Sequence, residues 1–443
     1  MKRGPFLAPS FYCPPTYPPP RPLPERVAFG TFRYNGPRNP DGDIRRSKEP
    51  TMTPLDVAKL RGQIPALRKL VYLNTGGSGP LPRAVAEEIA GDYRALLEEG
   101  PDVPAVRDAI AEKYERCRDT VARFFSVTPE EIAFTRSVSE GLSAIAYGMD
   151  WSPGDEVVVT SEEHPSGIMV WLNLAERRGI AVKKLPLVAD RDELLARLES
   201  IVTDRTRLIA VSHVTTDTGL KLPATEICSL AHQRGIAVAF DAAHSAGQFP
   251  IDLREVDADF YLATGRKWLL GGWGAAMMYV RKEWIAKLKV SATGLWAGTW
   301  DHQTDELRFF DTAHRFEYGD RHMPVYNGMA KGIEFVASVG LANVETRVKE
   351  LTARLKAAIE EIPGVSLRSP EPPEMSTGIV TFSVEGLTGV ELSNQMWERW
   401  RILGRRALDE TAMRVCVAFF TSDEEIEVTV SAMSTLANEN RRR

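Results

Sequence analysis

The chain has 443 residues, 43% of them hydrophobic and 26% charged, with a formal net charge of −5. That length exceeds what one compact core uses and implies two packed lobes. The mild acidity leaves no electrostatic footprint for a nucleic-acid partner, no apolar run is long enough to cross a bilayer, and no secretory signal is expected, since no charged stretch followed by an apolar one stands at the start.

Residues 1–51 hold 12 of the 29 prolines, including Pro18-Pro19-Pro20. Such a stretch makes neither an ordinary helix nor a central strand, so an extended or disordered arm is expected there. It would serve as a docking arm or a cover for a partner subunit. Alternatively, translation begins at Met52, since Lys48-Glu49 can be encoded by a ribosome-binding sequence.

Ordinary globular patterning follows. Arg83–Glu98 and Val106–Phe125 carry apolar residues at helical spacing. Short apolar runs then alternate with helical stretches: Ile132–Thr135, Val157–Thr160, Ala181–Leu187, Leu208–Val214, Ala237–Phe240, Phe260–Ala263 and Ala275–Val280. This alternation predicts an α/β fold around a mostly parallel seven-stranded sheet, whose strands read as continuous apolar runs because both faces are buried. Leu341–Ile362 reads as a long amphipathic helix stopped by Pro363-Gly364. A strand at Gly378–Val384, a helix near Val390–Trp400, a strand at Met413–Phe420 and a last helix with capping-box spacing from Ser422 to Glu425 complete a smaller α+β lobe. The expected division is a segment over 52–80 joining the small domain, a large cofactor-binding domain over 81–310 and a small C-terminal domain over 311–443.

In open α/β sheets, ligands bind beyond the carboxyl ends of the strands, so the residues just after each run matter most. After Thr135, Ser137, Val138 and Ser139 open a helix and present N–H and hydroxyl donors to an anion, although a plain N-cap would look the same. After Thr160 comes His164, suited to stacking on a flat ring or to proton transfer. Asp241 follows the run Ala237–Phe240, and a buried carboxylate there calls for a cation such as a protonated pyridine nitrogen. After Ala263 come Thr264, Arg266 and Lys267, a hydroxyl and a guanidinium for phosphate beside an amine able to form a Schiff base. Each signal has a bland alternative, such as a helix cap or a solvated turn. One cofactor, pyridoxal 5′-phosphate, explains them jointly. The four cysteines are scattered without a CxxC pair, which fits a reducing, cytoplasmic setting. No His/Cys spacing predicts a metal site.

The chain also resembles the class V aminotransferase group of fold type I pyridoxal-phosphate enzymes, which includes cysteine desulfurases and isopenicillin N epimerase-like proteins. The likeness runs from Pro65 to about Met433 and is carried by Tyr72–Thr75, Phe134–Glu140, Ser212–Gly219, Phe240–Ala246, Ala263–Leu270 and Arg315–Gly319. It implies that Lys267 is the Schiff-base lysine and shuttles the Cα proton. It makes Asp241 the partner of the pyridine nitrogen, His164 the stacked residue, and His244 and Thr216 neighbours of the phenolic oxygen. Ser139, Thr264 and Arg266 fall at phosphate positions, with Ser137 and Val138 in the same turn. Asn74 and Arg405 fall on the substrate side, Arg405 for the carboxylate, and Arg414 is a weaker rival that reads as structural. A homodimer is implied as well.

Some positions depart from the family. Thr216 replaces a frequent Asn, Arg266 a frequent His, and Asp320 a Thr that reaches the partner's phosphate. The stretch from Arg405 to Met413 has no cysteine, which disfavours a persulfide-relay desulfurase, and Cys416 lies in a predicted strand. The implied activity is an aminotransferase-type reaction at the α-carbon of a small amino acid, with a carbon–sulfur lyase or an epimerase as alternatives. A non-catalytic cofactor-binding protein is a remoter reading. A nicotinamide enzyme is set aside because no GxGxxG follows a strand. Trp273, Trp296 and Trp300 are read as interface or pocket aromatics, or else as ordinary core.

Overall fold

A computed structural model describes residues 55–408 and 410–442; the arm expected over residues 1–51 lies outside the described residues. The strands in chain order begin with β1 (Val71–Tyr72), β2 (Ile132–Thr135), β3 (Glu156–Thr160), β4 (Ala181–Leu185) and β5 (Thr206–Ser212). Next come β6 (Ala237–Asp241), β7 (Phe260–Thr264), β8 (Ala276–Val280), β9 (Gly298–Asp301) and β10 (Glu306–Phe309). The chain ends with β11 (Val365–Leu367), β12 (Ile379–Val384), β13 (Ile402–Leu403), β14 (Arg405–Ala407) and β15 (Ala412–Cys416).

Seven of these form one sheet in the order β2-β8-β7-β6-β5-β3-β4. Only β8 runs against its neighbours; the pairs from β7 out to β4 are parallel. Every residue of β3, β6 and β8 is buried, as expected for a sheet covered on both sides. Alternate residues feed two cores. Val157, Val159, Leu208 and Ala210 pack with helices Val138–Gly148 and Pro165–Arg178. Val158, Ile209, Val238 and Phe240 share the other face with helices Pro104–Phe124, Ala224–His232 and Met323–Val339. The edge strand β4 is half exposed and carries Lys183 and Lys184, charges that discourage pairing with another edge.

A third core holds the antiparallel sheet β11-β12-β15-β14 against helices Leu341–Glu360, Gly389–Trp400 and Asp423–Arg441. The last helix starts at the expected capping box of Ser422 and Glu425. β1 pairs in parallel with β13, and Leu73 enters this third core. The loop after β1 therefore lies beside β15, with Cys416 N donating to Leu73 O at 2.7 Å.

Two strands are shorter than their apolar runs. β4 stops at Leu185, just before Pro186, and β15 stops at Cys416, where the backbone turns to bond Leu73 and then Gly378. Helix Met323–Val339, which the sequence reading did not anticipate, is buried along much of its length. The antiparallel ribbon β9–β10 is largely exposed. Trp273, Trp296 and Trp300 are 67%, 49% and 57% exposed, which rules out the core reading for them. Among the described residues, no helix is long and apolar enough to cross a membrane.

Candidate active site

The carboxyl ends of β2, β3, β5, β6 and β7 open on one edge of the sheet, and the chemically promising residues follow those ends. Lys267 lies in the turn after β7, which is pinned by Gly265 N to Ala275 O (2.9 Å), Leu270 N to Lys267 O (3.1 Å) and Gly271 N to Gly265 O (2.7 Å). The lysine is 5% exposed. Burial pulls its amine down to about 7; Arg414 and Arg266 act in the same sense, while Asp241 opposes them. The loop after β1 packs onto this turn, with Gly79 N donating to Arg266 O at 2.7 Å. A Cβ at Gly79 would overlap the Lys267 carbonyl oxygen, so this close approach requires glycine.

Asp241, the last residue of β6, is buried. One of its oxygens accepts from Ala243 N at 2.8 Å. Burial raises its pKa, and the Lys267 charge and that hydrogen bond pull it back down. His244, one turn on, is in direct contact with the lysine: its Nε2 lies 3.0 Å from Lys267 Nζ and 3.4 Å from Thr216 Oγ1. On the far side, Trp268 Nε1 donates to His244 Nδ1 at 3.5 Å. Burial first, then the Lys267 and Arg414 charges, keep this imidazole neutral. An indole N–H only donates, and a neutral imidazole has one donor and one acceptor nitrogen. With Nδ1 accepting, the proton sits on Nε2 and faces Lys267 Nζ, whose lone pair it meets when the amine is uncharged.

His164 caps the helix Pro165–Arg178, its Nδ1 accepting from Ser166 N at 3.1 Å. Burial, then the charges of Lys267 and Arg405, lower its pKa to about 4, so its ring is neutral. Ser137 caps the helix Val138–Gly148 by accepting from Glu140 N at 3.2 Å. The N–H groups of Val138 and Ser139 precede the first intrahelical bond, from Gly141 N to Ser137 O, and remain available to an anion. Arg266 Nη1 donates to Gly77 O (2.8 Å) and Ser78 Oγ (3.1 Å), and its guanidinium lies 4.5 Å over the Trp273 ring. Thr264 ends β7 at the same turn.

On the substrate side, Asn74 Oδ1 and Thr75 Oγ1 are buried without a hydrogen-bond partner. So are Arg414 Nε and Nη2, although Arg414 is only 1% exposed. Its Nη1 bonds the carbonyl and, at 3.3 Å, the hydroxyl of Thr216. Arg405 is exposed on β14. The structure thus joins Lys267, His244 and Thr216 by direct contact and sets Asp241, His164, Arg266 and Arg405 within electrostatic reach of them. No direct contact links Ser137, Val138 or Ser139 to the lysine.

Sequence reasoning did not single out Glu162, Glu163 or Trp268. Glu163 takes Ser212 N (2.9 Å), Ser212 Oγ (2.6 Å) and Thr160 Oγ1 (2.7 Å), tying the ends of β3 and β5 beneath His164. Burial, with Asp241 adding to it against these hydrogen bonds, raises its pKa to about 7. Glu162 turns the other way and takes Asp217 N (2.8 Å), Thr218 N (2.5 Å) and Thr218 Oγ1 (2.7 Å), fixing the loop that carries Thr216. Two adjacent carboxylates just before a helix-capping histidine were the available signal.

The Aminotransferase class-V family model matches residues 71–405. Isopenicillin N epimerase of Streptomyces clavuligerus is 30% identical over 405 residues, spanning 88% of this chain and 100% of the relative. A probable cysteine desulfurase of Methanothermobacter thermautotrophicus is 28% identical over 398 residues, spanning 85% and 97%. Among solved structures, a lysine-to-alanine mutant of C-DES with glycine covalently linked to its PLP cofactor matches with a TM-score of 0.80 at 28% identity, covering 84% of this chain and 98% of that one. The complex of the cystine C–S lyase C-DES with its product cysteine persulfide matches with a TM-score of 0.79 at 28% identity, covering 84% and 99%.

Proposed function

Because this chain belongs to the class V aminotransferase family, we propose that it uses pyridoxal phosphate to move the α-proton of a small amino acid, in a reaction of the aminotransferase type. The observation that carries this reading is Lys267: a buried amine whose pKa is pulled down to about 7, against Nε2 of His244 and within reach of the Asp241 charge. The residues present fit the cofactor. A buried carboxylate awaits a cation, a helix N-terminus and Arg266 await a phosphate, and Arg414 has two buried donors without an acceptor. When bound, pyridoxal phosphate supplies an electron sink for the carbanion left when a bond to Cα breaks.

Lys267 would hold the cofactor covalently, and its Nζ, when free, would take the substrate Cα proton. Asp241 would pair with the pyridine nitrogen. His164 would stack on the ring, and His244, with Thr216, would serve the phenolic oxygen. Ser137, Val138, Ser139, Thr264 and Arg266 take the phosphate. Arg414 takes the α-carboxylate, with Asn74 beside it. This reverses the order of preference read from sequence, because a buried guanidinium with unpaired donors is costly unless an anion completes it. Arg405 remains available for another task.

A carbon–sulfur lyase that releases sulfur without a protein thiol is the second reading, favoured by the absence of cysteine between Arg405 and Met413. The exposed Trp273, Leu295, Trp296, Trp300 and Leu307 are read as the face that a second copy covers in a cytoplasmic homodimer.

To test this, holoenzyme is incubated with single amino acids in D2O while Cα exchange and the visible spectrum are followed. Exchange, lost in Lys267→Ala, supports the proposal, and conversion of the cofactor to its amine form marks transamination. Released sulfide with the cofactor unchanged marks the lyase. Undiminished exchange in Lys267→Ala overturns the assignment.

A further inference from the structure

Arg405 on β14 is the registered cross-strand partner of Arg414 on β15. Side chains of such a pair leave the same face of the sheet, and like charges placed directly opposite each other destabilise it. Among the described residues, nothing relieves this pair by direct contact. Arg414 bonds only Thr216, and among the described residues Arg405 has neither an ion-pair nor a hydrogen-bond partner. The contrast with the next residue is informative: Arg406, on the opposite face, pairs with Glu410. Asp217 is the carboxylate that most favours the Arg405 charge, but it already accepts from Leu408 N at 3.4 Å. The Arg405 charge also reaches the chemistry, since it helps to lower the pKa of both His164 and His244.

Charge counting then leaves one vacancy. The cofactor phosphate would answer Arg266, the pyridine nitrogen would answer Asp241, and Lys267 would be taken up in holding the cofactor. An α-carboxylate completes Arg414. Only Arg405 stays without an anion, in register with another cation at the substrate side. We propose that Arg405 selects amino acids bearing a second anionic group, a carboxylate or similar oxyanion, on the side chain. A guanidinium fork suits such a group by two parallel charge-assisted hydrogen bonds. This deepens the proposed function and rests on its assignment of the α-carboxylate to Arg414.

The test uses holoenzyme and four probes: aspartate, glutamate and their uncharged isosteres asparagine and glutamine. Dissociation constants come from calorimetry and turnover from Cα deuterium exchange. At least one acid should bind roughly tenfold or more tightly than its amide, the scale of a charge-assisted pair. Arg405→Gln should collapse that ratio to within about twofold, whereas Arg414→Gln should weaken acid and amide alike. Equal binding of acids and amides by the unaltered enzyme overturns the proposal while leaving the Cα chemistry intact. Equal weakening of both by Arg405→Gln overturns it too and returns the α-carboxylate to Arg405. Failure of all four probes to exchange, with a wider amino-acid panel also silent, sinks the reading on which the proposal rests.

Discussion

Lys267 should capture pyridoxal phosphate at a pH where an ordinary lysine is inert. A solvated lysine titrates at about 10.4, so at pH 7 only about one amine in 2,500 is neutral. Here burial brings the amine to about 7. Half of the molecules then carry a nucleophilic lysine at neutrality, a gain of roughly three orders of magnitude in the reactive fraction. The groups that set this value are known: Arg414 and Arg266 depress it, Asp241 and Cys416 raise it, and His244 touches it. The assay is stopped-flow mixing of apoprotein with pyridoxal phosphate from about pH 5.5 to 9.5, following the visible band of the lysine-bound cofactor. The rate constant should rise through neutrality and level off by about pH 8. Asp241→Asn removes the main charge that favours protonation, so its profile should shift to lower pH. A rate that still climbs tenfold per unit beyond about pH 9 would show an unperturbed lysine and refute the reasoning.

Three further outcomes are expected. Trp268→Phe keeps an aromatic ring but deletes the N–H that directs the His244 tautomer, so the pH profile of cofactor capture should move upward while thermal unfolding changes little; an unmoved profile argues against Trp268 setting that tautomer. Glu317→Gln leaves Arg118 and Arg321 facing a neutral amide in a buried cluster and should cost about 3–5 kcal/mol in urea unfolding. Burial works against the Glu317 charge, but Arg118 and Arg321 overcome it and hold its pKa below the ordinary value; its contribution should be complete above about pH 4.3 and fade as pH falls further. Gly79→Ala displaces the lysine turn, so cofactor retention, measured by absorbance after gel filtration, should drop while far-UV circular dichroism is kept.

The large sheet was legible because a strand buried on both faces must be apolar at every position, and β3, β6 and β8 are. β11, β13 and β14 were not, being only two or three residues long and strand only through their partners. Helix Met323–Val339 was hidden because burial on several sides, with Gly328 and Gly332, blurs its helical period. In the site, Lys267, Asp241 and His164 could be located because each directly follows an apolar run. What Arg405 and Arg414 do could not, because strand order, which puts β15 inside the sheet and β14 at its edge, accompanies the burial of one and the exposure of the other. The opposite courses of Glu162 and Glu163 were equally invisible, since neighbouring residues of one type carry no sign of where each finds its donors.

The pairing of β1 with β13 also bears on assembly of the protein. The proposed cofactor-side residues, Ser137 to Lys267, occupy one continuous stretch, whereas Asn74 must meet Cys416 across one of the longest sequence separations in the fold. Such closures come late because the chain entropy they cost is repaid only when both segments are present. During synthesis, the turn that receives the cofactor emerges well before β13 does. A chain stalled just short of Ile402 would hold the lysine, the aspartate and both histidines, yet leave β1 as an unpaired edge open to wrong partners. Competence to bind cofactor and competence to bind substrate are thus acquired at different moments of biosynthesis, and a C-terminal truncation would separate them.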